Sequence, residues 1–332
     1  MLVICTTAVV VYAAVKLNQP ATTVSASRDF EIQKGETAAN IIQRLLEQKL
    51  ITSPLLAKIY LRFRGAESKL QAGIYNLDSH MTIPEIVQIL SWGQVKVQDI
   101  RFTIIEGWTA VEIGSRLENL DMVKKADFLA ATKADFSSEY GFLKDKPKSA
   151  SLEGFLFPDT YVLKPGMSPE TIIRRLLDNF QQRVTAKLSY QDLIVASIVE
   201  REVGRNFMKN VKLSDADWQR LQEERRLVAA VFLRRLARGL PLESDATINY
   251  ITGYQDRRVK LSDLQIDSLY NTYKYRGLPP TPISNPSVDS IKAVLAPAKT
   301  DYLFFLTAPD GTAHFAQTLV EHDINRKKYL GD

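Results

Sequence analysis

The sequence predicts an α+β protein: an apolar N-terminal segment, a small βα-type unit, and a larger mixed domain around a helical core. Three observations predict it. Short alternating runs such as Phe30-Glu31-Ile32 stand beside runs with Ile and Leu at helical spacing. The pattern of the first unit recurs once. After Ser189 long helical stretches take over. The chain has 332 residues, 45% hydrophobic and 24% charged, which is globular composition and suits two or three domains. The net charge of +5 is spread among interleaved acids and bases. There is no basic stripe with interleaved aromatics and no zinc-ligand spacing, so nucleic-acid binding is not expected.

Met1 to Val15 carries no charged side chain, and Cys5, the one cysteine, lies within it. A membrane-spanning helix needs about 20 apolar residues. Three readings compete: a single-pass anchor, a signal peptide and a buried helix. A Ser/Thr-rich stretch follows at once, which argues against a buried helix. No basic residue precedes the run, which argues against a signal peptide and leaves orientation unset. A transmembrane anchor over 1–18 with a linker over 19–29 is the expectation.

From Phe30 the pattern is βα-like. Phe30 to Ile32 reads as a strand and Lys34-Gly35-Glu36-Thr37 as a turn with a helix cap. Ile41, Ile42, Leu45 and Leu46 then fall at helical spacing. Pro54 to Phe63 reads as a second helix, Ala72 to Leu77 as a strand, and Thr82 as the cap of a third helix with Pro84 in its first turn. The pattern returns 72 residues later in Phe102-x-Ile104-x-x-Gly107-x-Thr109 with Ile113, Arg116 and Leu117. Tyr161-x-Leu163, Met167-Ser168, Ile172 and Leu176 repeat Tyr75 to Leu90 at an offset of 86, which places an insertion over Ser137 to Leu156. Duplication of a strand–helix–helix–strand unit is the expectation.

Tyr190 to Val203 reads as one helix, and Phe207 to Gln222 as a polar insertion with a helical piece of its own. Glu223 to Arg238 reads as a long helix ended by Gly239. The tail reads as a helix from Ser287 to Leu295, two short strands around Pro309-Asp310-Gly311, and a last helix from Leu319.

Chemistry is most readable on the helix 190–203. Leu193, Ala196, Ser197 and Glu200 share one face. A glutamate that follows an apolar, small-residue stripe points at a cavity, and a carboxyl held from water suits a general acid. Glu202 lies roughly 200° around the helix, so the two carboxylates face different ways. Spacing alone leaves a salt bridge open, with Arg225, Arg226, Arg234 and Arg235 on the next helix. His314 and His322 straddle a turn without further ligands, and no metal site is expected.

Several ordered stretches resemble the endolytic murein transglycosylase family, also called MltG or YceG-like. They are Phe-Thr-Ile-Ile-Glu-Gly-Trp-Thr at 102–109, Ser-Leu-Glu-Gly-Phe-Leu-Phe-Pro-Asp-Thr-Tyr at 151–161, Ala-Ser-Ile-Val-Glu-Arg-Glu at 196–202 and Ser-Asp-Ala-Thr-Ile-Asn-Tyr at 244–250. Tyr-Asn-Thr-Tyr at 270–273, Gly-Leu-Pro-Pro-Thr-Pro-Ile at 277–283 and Pro-Ala-Lys-Thr-Asp-Tyr-Leu-Phe-Phe at 297–305 complete the set. The resemblance implies a LysM-like subdomain over 30–97 and a catalytic domain over 98–332. It implies Glu200 as the catalytic residue and peptidoglycan glycan strands as substrate. It also implies an inner-membrane protein with a periplasmic body, with peptidoglycan synthases as candidate partners.

Such an enzyme needs no cofactor and works with one carboxylate. Ser197, Glu153, Asp245, Thr247, Asn271 and Tyr273 are the expected substrate contacts. Asp245 is the one candidate for a second carboxylate, with helix capping as its ordinary role. The link from Gly204 to Gln222 is longer and more charged than the family pattern. A non-catalytic wall-binding protein is the competing reading. A pyridoxal-phosphate lyase, a label sometimes attached to the family, would need a lysine beside a phosphate cup, and none is readable.

Overall fold

A computed structural model describes residues 11–93, 99–203, 214–253 and 259–331. The chain divides into two compact units, Met1–Asp99 and Ile100–Asp332.

In the first unit, β1 (Ser27–Ile32) and β2 (Gly73–Asp78) pair antiparallel, with Phe30 opposite Tyr75. Alternation turns Phe30 and Ile32 inward and leaves Glu31 exposed. Helices α1 (Ala38–Glu47), α2 (Pro54–Phe63) and α3 (Ile83–Trp92) begin at Thr37, Ser53 and Thr82. Each hydroxyl accepts a backbone N–H of the first turn, which satisfies a donor that the helix cannot. Phe30, Ile41, Leu45, Tyr75, Leu77 and Ile86 fill one core between the strands and helices. Residues 11–17 are helical. Among the described residues no helix is long and apolar enough to cross a membrane. Residues 1–10 of the expected anchor lie outside the described residues.

The second unit opens with the same plan. β3 (Ile100–Thr103) and β4 (Thr160–Leu163) pair antiparallel, with Phe102 opposite Tyr161, the counterparts of Phe30 and Tyr75. Thr109 caps α4 (Ala110–Asn119), α5 (Lys125–Ala131) follows, and Ser168 caps α6 (Pro169–Arg183). The order β-α-α-β-α is thus repeated. The second copy is lengthened between α5 and β4, where Leu152, Phe155, Leu156 and Phe157 enter the core.

The unit is centred on α7 (Tyr190–Glu202). Every residue from Leu193 to Arg201 is buried. The helix is therefore not an amphipathic element with one inward face, as the four-residue stripe had implied, but a core helix enclosed on all sides. It packs against α8 (Asp215–Ala237), α9 (Asp245–Thr252) and α10 (Val288–Leu295). A second correction concerns α8. The separate helical piece expected before Gln222 is the first part of α8, which runs unbroken from Asp215 to Ala237. Residues 204–213 of the charged link lie outside the described residues. Strands β5 (Phe304–Thr307) and β6 (Ala313–Ala316) and helix α11 (Leu319–Tyr329) close the chain. His314 stacks on Tyr329 and His322 on Phe304.

Candidate active site

Glu200 lies near the end of α7 and is 3% exposed. Its Oε2 accepts from the Ser287 N–H at 2.9 Å and from the Ser287 Oγ at 2.6 Å. Ser287 is the N-cap of α10, so the carboxylate sits where unpaired N–H groups and the helix dipole favour an anion. The ion pair that spacing had left open is not formed. Among the described residues no salt bridge joins Glu200 to Arg225, Arg226, Arg234 or Arg235. Arg226 goes to Glu223, Arg234 to Asp301 and Arg235 to Glu243. Glu202 leaves the helix on another side and accepts from the Ser244 Oγ.

The segment 282–287 that carries Ser287 is held by buried polar contacts. Ser197, fully buried, donates from Oγ to the Ile194 carbonyl at 2.7 Å and accepts the Ile283 N–H at 3.0 Å. The Ser284 Oγ donates to the Ser197 carbonyl at 3.0 Å. Asn285, also fully buried, has a fully used amide. Its Oδ1 accepts the N–H of Gly154 at 2.8 Å and of Leu156 at 2.9 Å. Its Nδ2 donates to the Trp108 carbonyl and to Glu153, both at 2.9 Å.

Glu153 is 3% exposed, and both its oxygens accept the Ala110 N–H at the start of α4, each at 3.0 Å. Burial, with a further push from the Glu112 charge, raises its carboxyl to about 8 against the pull of Ala110, Asn285 and Arg201. Glu153 therefore clamps the corner after β3 to the segment before α10. Its position is inside the protein, not on a groove.

That corner faces Glu200. Gly107 has φ +77°, and a Cβ built on it would lie 3.5 Å from the Glu200 Cγ. The Arg201 Nη1 donates to the Gly107 carbonyl at 3.2 Å, and the Gly107 N–H donates to the Asn285 carbonyl at 2.9 Å. Glu106, one residue earlier, is half-buried. Burial is the main cause that raises its carboxyl to about 7; the charges of Glu200 and Asp289 add to it, and Arg225 opposes it. Arg225 is 1% exposed, and its Nε and Nη1 have no hydrogen-bond partner among the described residues.

Asp245, the expected second carboxylate, follows Ser244, whose hydroxyl bonds Glu202 at the end of α7. It is exposed at the first position of α9 and accepts from the Tyr273 Oη at 2.6 Å. The Ser244 cap makes no side-chain bond to α9, because its hydroxyl goes to Glu202. Burial, then the Asp245 charge, push the Tyr273 phenol well above its ordinary value, so it serves as a donor. Thr247 and Asn271 are fully buried. Thr247 Oγ1 bonds the Ser244 carbonyl and Thr272, and Asn271 ties down the Leu264 and Ile266 carbonyls. Of the expected site residues, Glu200 and Ser197 thus share one neighbourhood with Glu153 behind it. Exposed Asp245 and half-buried Tyr273 form a second pair, and Thr247 and Asn271 are internal struts.

Sequence reasoning missed Glu106, Arg225 as its neighbour, and Ser287. The signal for Glu106 was present: an acid directly before a turn glycine and a capped helix, in a run already singled out. Two open clefts of this unit, about 500 and 580 Å³, are lined by residues 159–182 and 230–301 and do not include Glu200.

A buried carboxylate with a second carboxyl and a buried guanidinium nearby has the chemistry of groups that can move a proton, and it sits in an α+β fold. Comparison with known proteins gives that fold a family. The chain belongs to the YceG-like family, whose pattern matches residues 30–328. A Bacillus subtilis (strain 168) relative, named endolytic murein transglycosylase, is 31% identical over 324 residues, spanning 91% of this chain and 84% of the relative. A protein of the same name from Streptococcus pneumoniae is 27% identical over 334 residues, spanning 90% of this chain and 58% of that longer relative. The crystal structure of a YceG-like protein from Listeria monocytogenes matches with a TM-score of 0.57 at 30% identity, over 91% of this chain and 99% of that one.

Proposed function

We propose that the protein is an endolytic lytic transglycosylase. It cuts the MurNAc–GlcNAc bond of nascent peptidoglycan strands, leaves 1,6-anhydro-MurNAc ends, and thereby terminates glycan elongation. One observation carries this reading. In a chain whose named relatives are endolytic murein transglycosylases, the Ile-Val-Glu carboxyl is withdrawn from water and held by Ser287 at a helix N-terminus.

Glu200 delivers a proton to the glycosidic oxygen. The C1–O bond breaks, its electron pair stays on the leaving GlcNAc oxygen, and C1 gains oxocarbenium character. The MurNAc C6 hydroxyl attacks C1, and Glu200, now a carboxylate, takes its proton. No water is consumed, which distinguishes this chemistry from the two-carboxylate hydrolysis of ordinary glycosidases. Ser287 orients the carboxyl. Ser197 and Glu153 act one layer behind, by fixing the segments that meet at Glu200. Exposed Asp245 and its half-buried partner Tyr273 are offered as glycan contacts.

The first unit fits a LysM-like glycan-binding role, since its two strands and three helices form a small independent core. The apolar run at residues 1–15 fits a single-pass inner-membrane anchor with the body in the periplasm, where synthases would supply the strand.

Mass spectrometry of products from uncrosslinked glycan tests the proposal. Anhydro ends within strands are expected from the wild type and absent with Glu200→Gln. Unchanged anhydro products from Glu200→Gln would remove Glu200 from the chemistry. Glycan binding without any cleavage by the wild type would leave the non-catalytic wall-binding reading.

A further inference from the structure

Both contacts that the structure gives Glu200 occupy lone pairs of one carboxylate oxygen, and a serine hydroxyl and an amide do not supply a proton for transfer. A general acid needs one at the start of its cycle. Glu106 is the neighbouring carboxyl.

Its corner is fixed on two sides. The Arg201 Nη1 holds the Gly107 carbonyl, and the Asn285 carbonyl, two residues before Ser287, holds the Gly107 N–H. Gly107 supplies the left-handed backbone, φ +77°, that turns the chain here, and a Cβ on it would stand in ordinary contact with the Glu200 Cγ at 3.5 Å, so the backbone beside Glu106 lies against the Glu200 side chain. The charged groups around Glu106 are Glu200 and Arg201 from α7, Arg225 from α8 and Asp289 from α10. Arg225, whose Nε and Nη1 have no hydrogen-bond partner among the described residues, supplies the positive charge that opposes the raised Glu106 carboxyl. Half-buried and beside the Glu200 and Asp289 carboxyls, Glu106 holds its proton more tightly than a free carboxyl does.

We propose that Glu106 and Glu200 share one proton and act as a pair, with Glu106 storing it in the resting site, Glu200 passing it to the glycosidic oxygen, and Arg225 balancing the charge left behind. The C1–O4 bond breaks and O4 takes the proton. The C6 oxygen bonds to C1 and its proton returns to the pair, so the site ends as it began, with no oxidant, reductant or water. The raised value of the Glu106 carboxyl, about 7, agrees with a group that still carries its proton near neutrality. The pairing rests on the transglycosylase reading of Glu200 and adds to it the origin of the proton.

The test uses the full chain, uncrosslinked glycan and the yield of anhydro ends from pH 5 to 8.5, for the wild type, Glu106→Gln, Glu106→Asp and Glu200→Gln. Wild-type activity should fall as pH rises through about 7. Glu106→Gln should lose about 100-fold at neutral pH and lack the limb near neutrality. Glu106→Asp should restore most activity with a displaced limb.

Carbon-13 NMR of labelled glutamate carboxyls gives a readout independent of turnover. The Glu106 titration should move to lower pH in Glu200→Gln, because a neighbouring negative charge is removed. A wild-type profile in Glu106→Gln, or a Glu106 titration that ignores Glu200→Gln, overturns the pairing. Anhydro products surviving Glu200→Gln would instead overturn the transglycosylase reading itself.

Discussion

In the first unit β1 passes into α1 through Gln33-Lys34-Gly35-Glu36; in the second β3 passes into α4 through Ile105-Glu106-Gly107-Trp108. Both glycines have left-handed backbones, φ +84° and +77°, and both corners end in a threonine cap. A Cβ on Gly35 would meet nothing within 4 Å, whereas one on Gly107 would meet Glu200 and Arg201. Glu36 stays near the surface, paired with Arg44 at 2.9 Å, while the Trp108 carbonyl accepts both the Asn285 backbone N–H and its Nδ2. Exposed Lys34 has its counterpart in half-buried Glu106. A glycine and a cap suffice to build this corner. What packs on it decides whether it is a mere turn or the wall of a reactive site.

Substituting the two glycines tests that contrast most sharply. Alanine in a left-handed conformation costs about 1–2 kcal/mol at either site, so both variants should melt earlier by a similar amount. Only Gly107→Ala should also lose activity, by about 100-fold, because relief of the strain moves the corner against Glu200. Equal activity of the two variants in the anhydro-end assay would break the comparison.

Next in size is Asn285→Ala. It strands buried donors and acceptors on Gly154, Leu156, Trp108 and Glu153 and should cost about 3 kcal/mol in denaturant unfolding of the second unit.

Glu153 predicts a pH dependence. Its folded value, about 8, lies above the ordinary 4.5, so the folded state binds the proton more tightly. That stabilisation is complete below pH 4.5 and is lost as pH rises through about 8. The second unit should therefore melt progressively earlier over this window, and Glu153→Gln should flatten the slope. The smallest effect is expected at Arg44→Ala, whose partly exposed ion pair with Glu36 contributes at most about 1 kcal/mol.

Much of this architecture was legible in local sequence. Thr37, Thr82, Thr109 and Ser287 announce their helices because capping is a local act, and the repeated Phe-x-Ile…Gly-x-Thr pattern announced the two matching strand pairs. Two features were not legible. The face of α7 that matters is not selected by amphipathicity, because all its faces are buried, so the alternating stripe carried no information about direction. The partners of Glu200 and Glu106 come from segments far along the chain, and no periodicity encodes them. Asp245 read as a candidate second carboxylate through its motif; in the fold it stands exposed at the start of α9 and accepts from Tyr273. Ser197, Thr247 and Asn271 carried the same ambiguity: a small polar residue in a motif reads alike whether it meets substrate or locks a loop.

The bonds that fix Glu200 and the segments around it span long stretches of chain: 87 residues from Glu200 to Ser287, 131 from Gly154 to Asn285 and 177 from Trp108 to Asn285. The strand pair of the first unit closes over about 50, with Ser27 and Asp78 bonded 51 apart. Long closures of this kind form late, because the chain must be ordered over that whole length before any contact rewards it. A growing polypeptide therefore carries Glu200 for some time before Ser287 exists to receive it. The Glu200 carboxyl thus stays without this hydrogen-bonding partner until 87 further residues have been made.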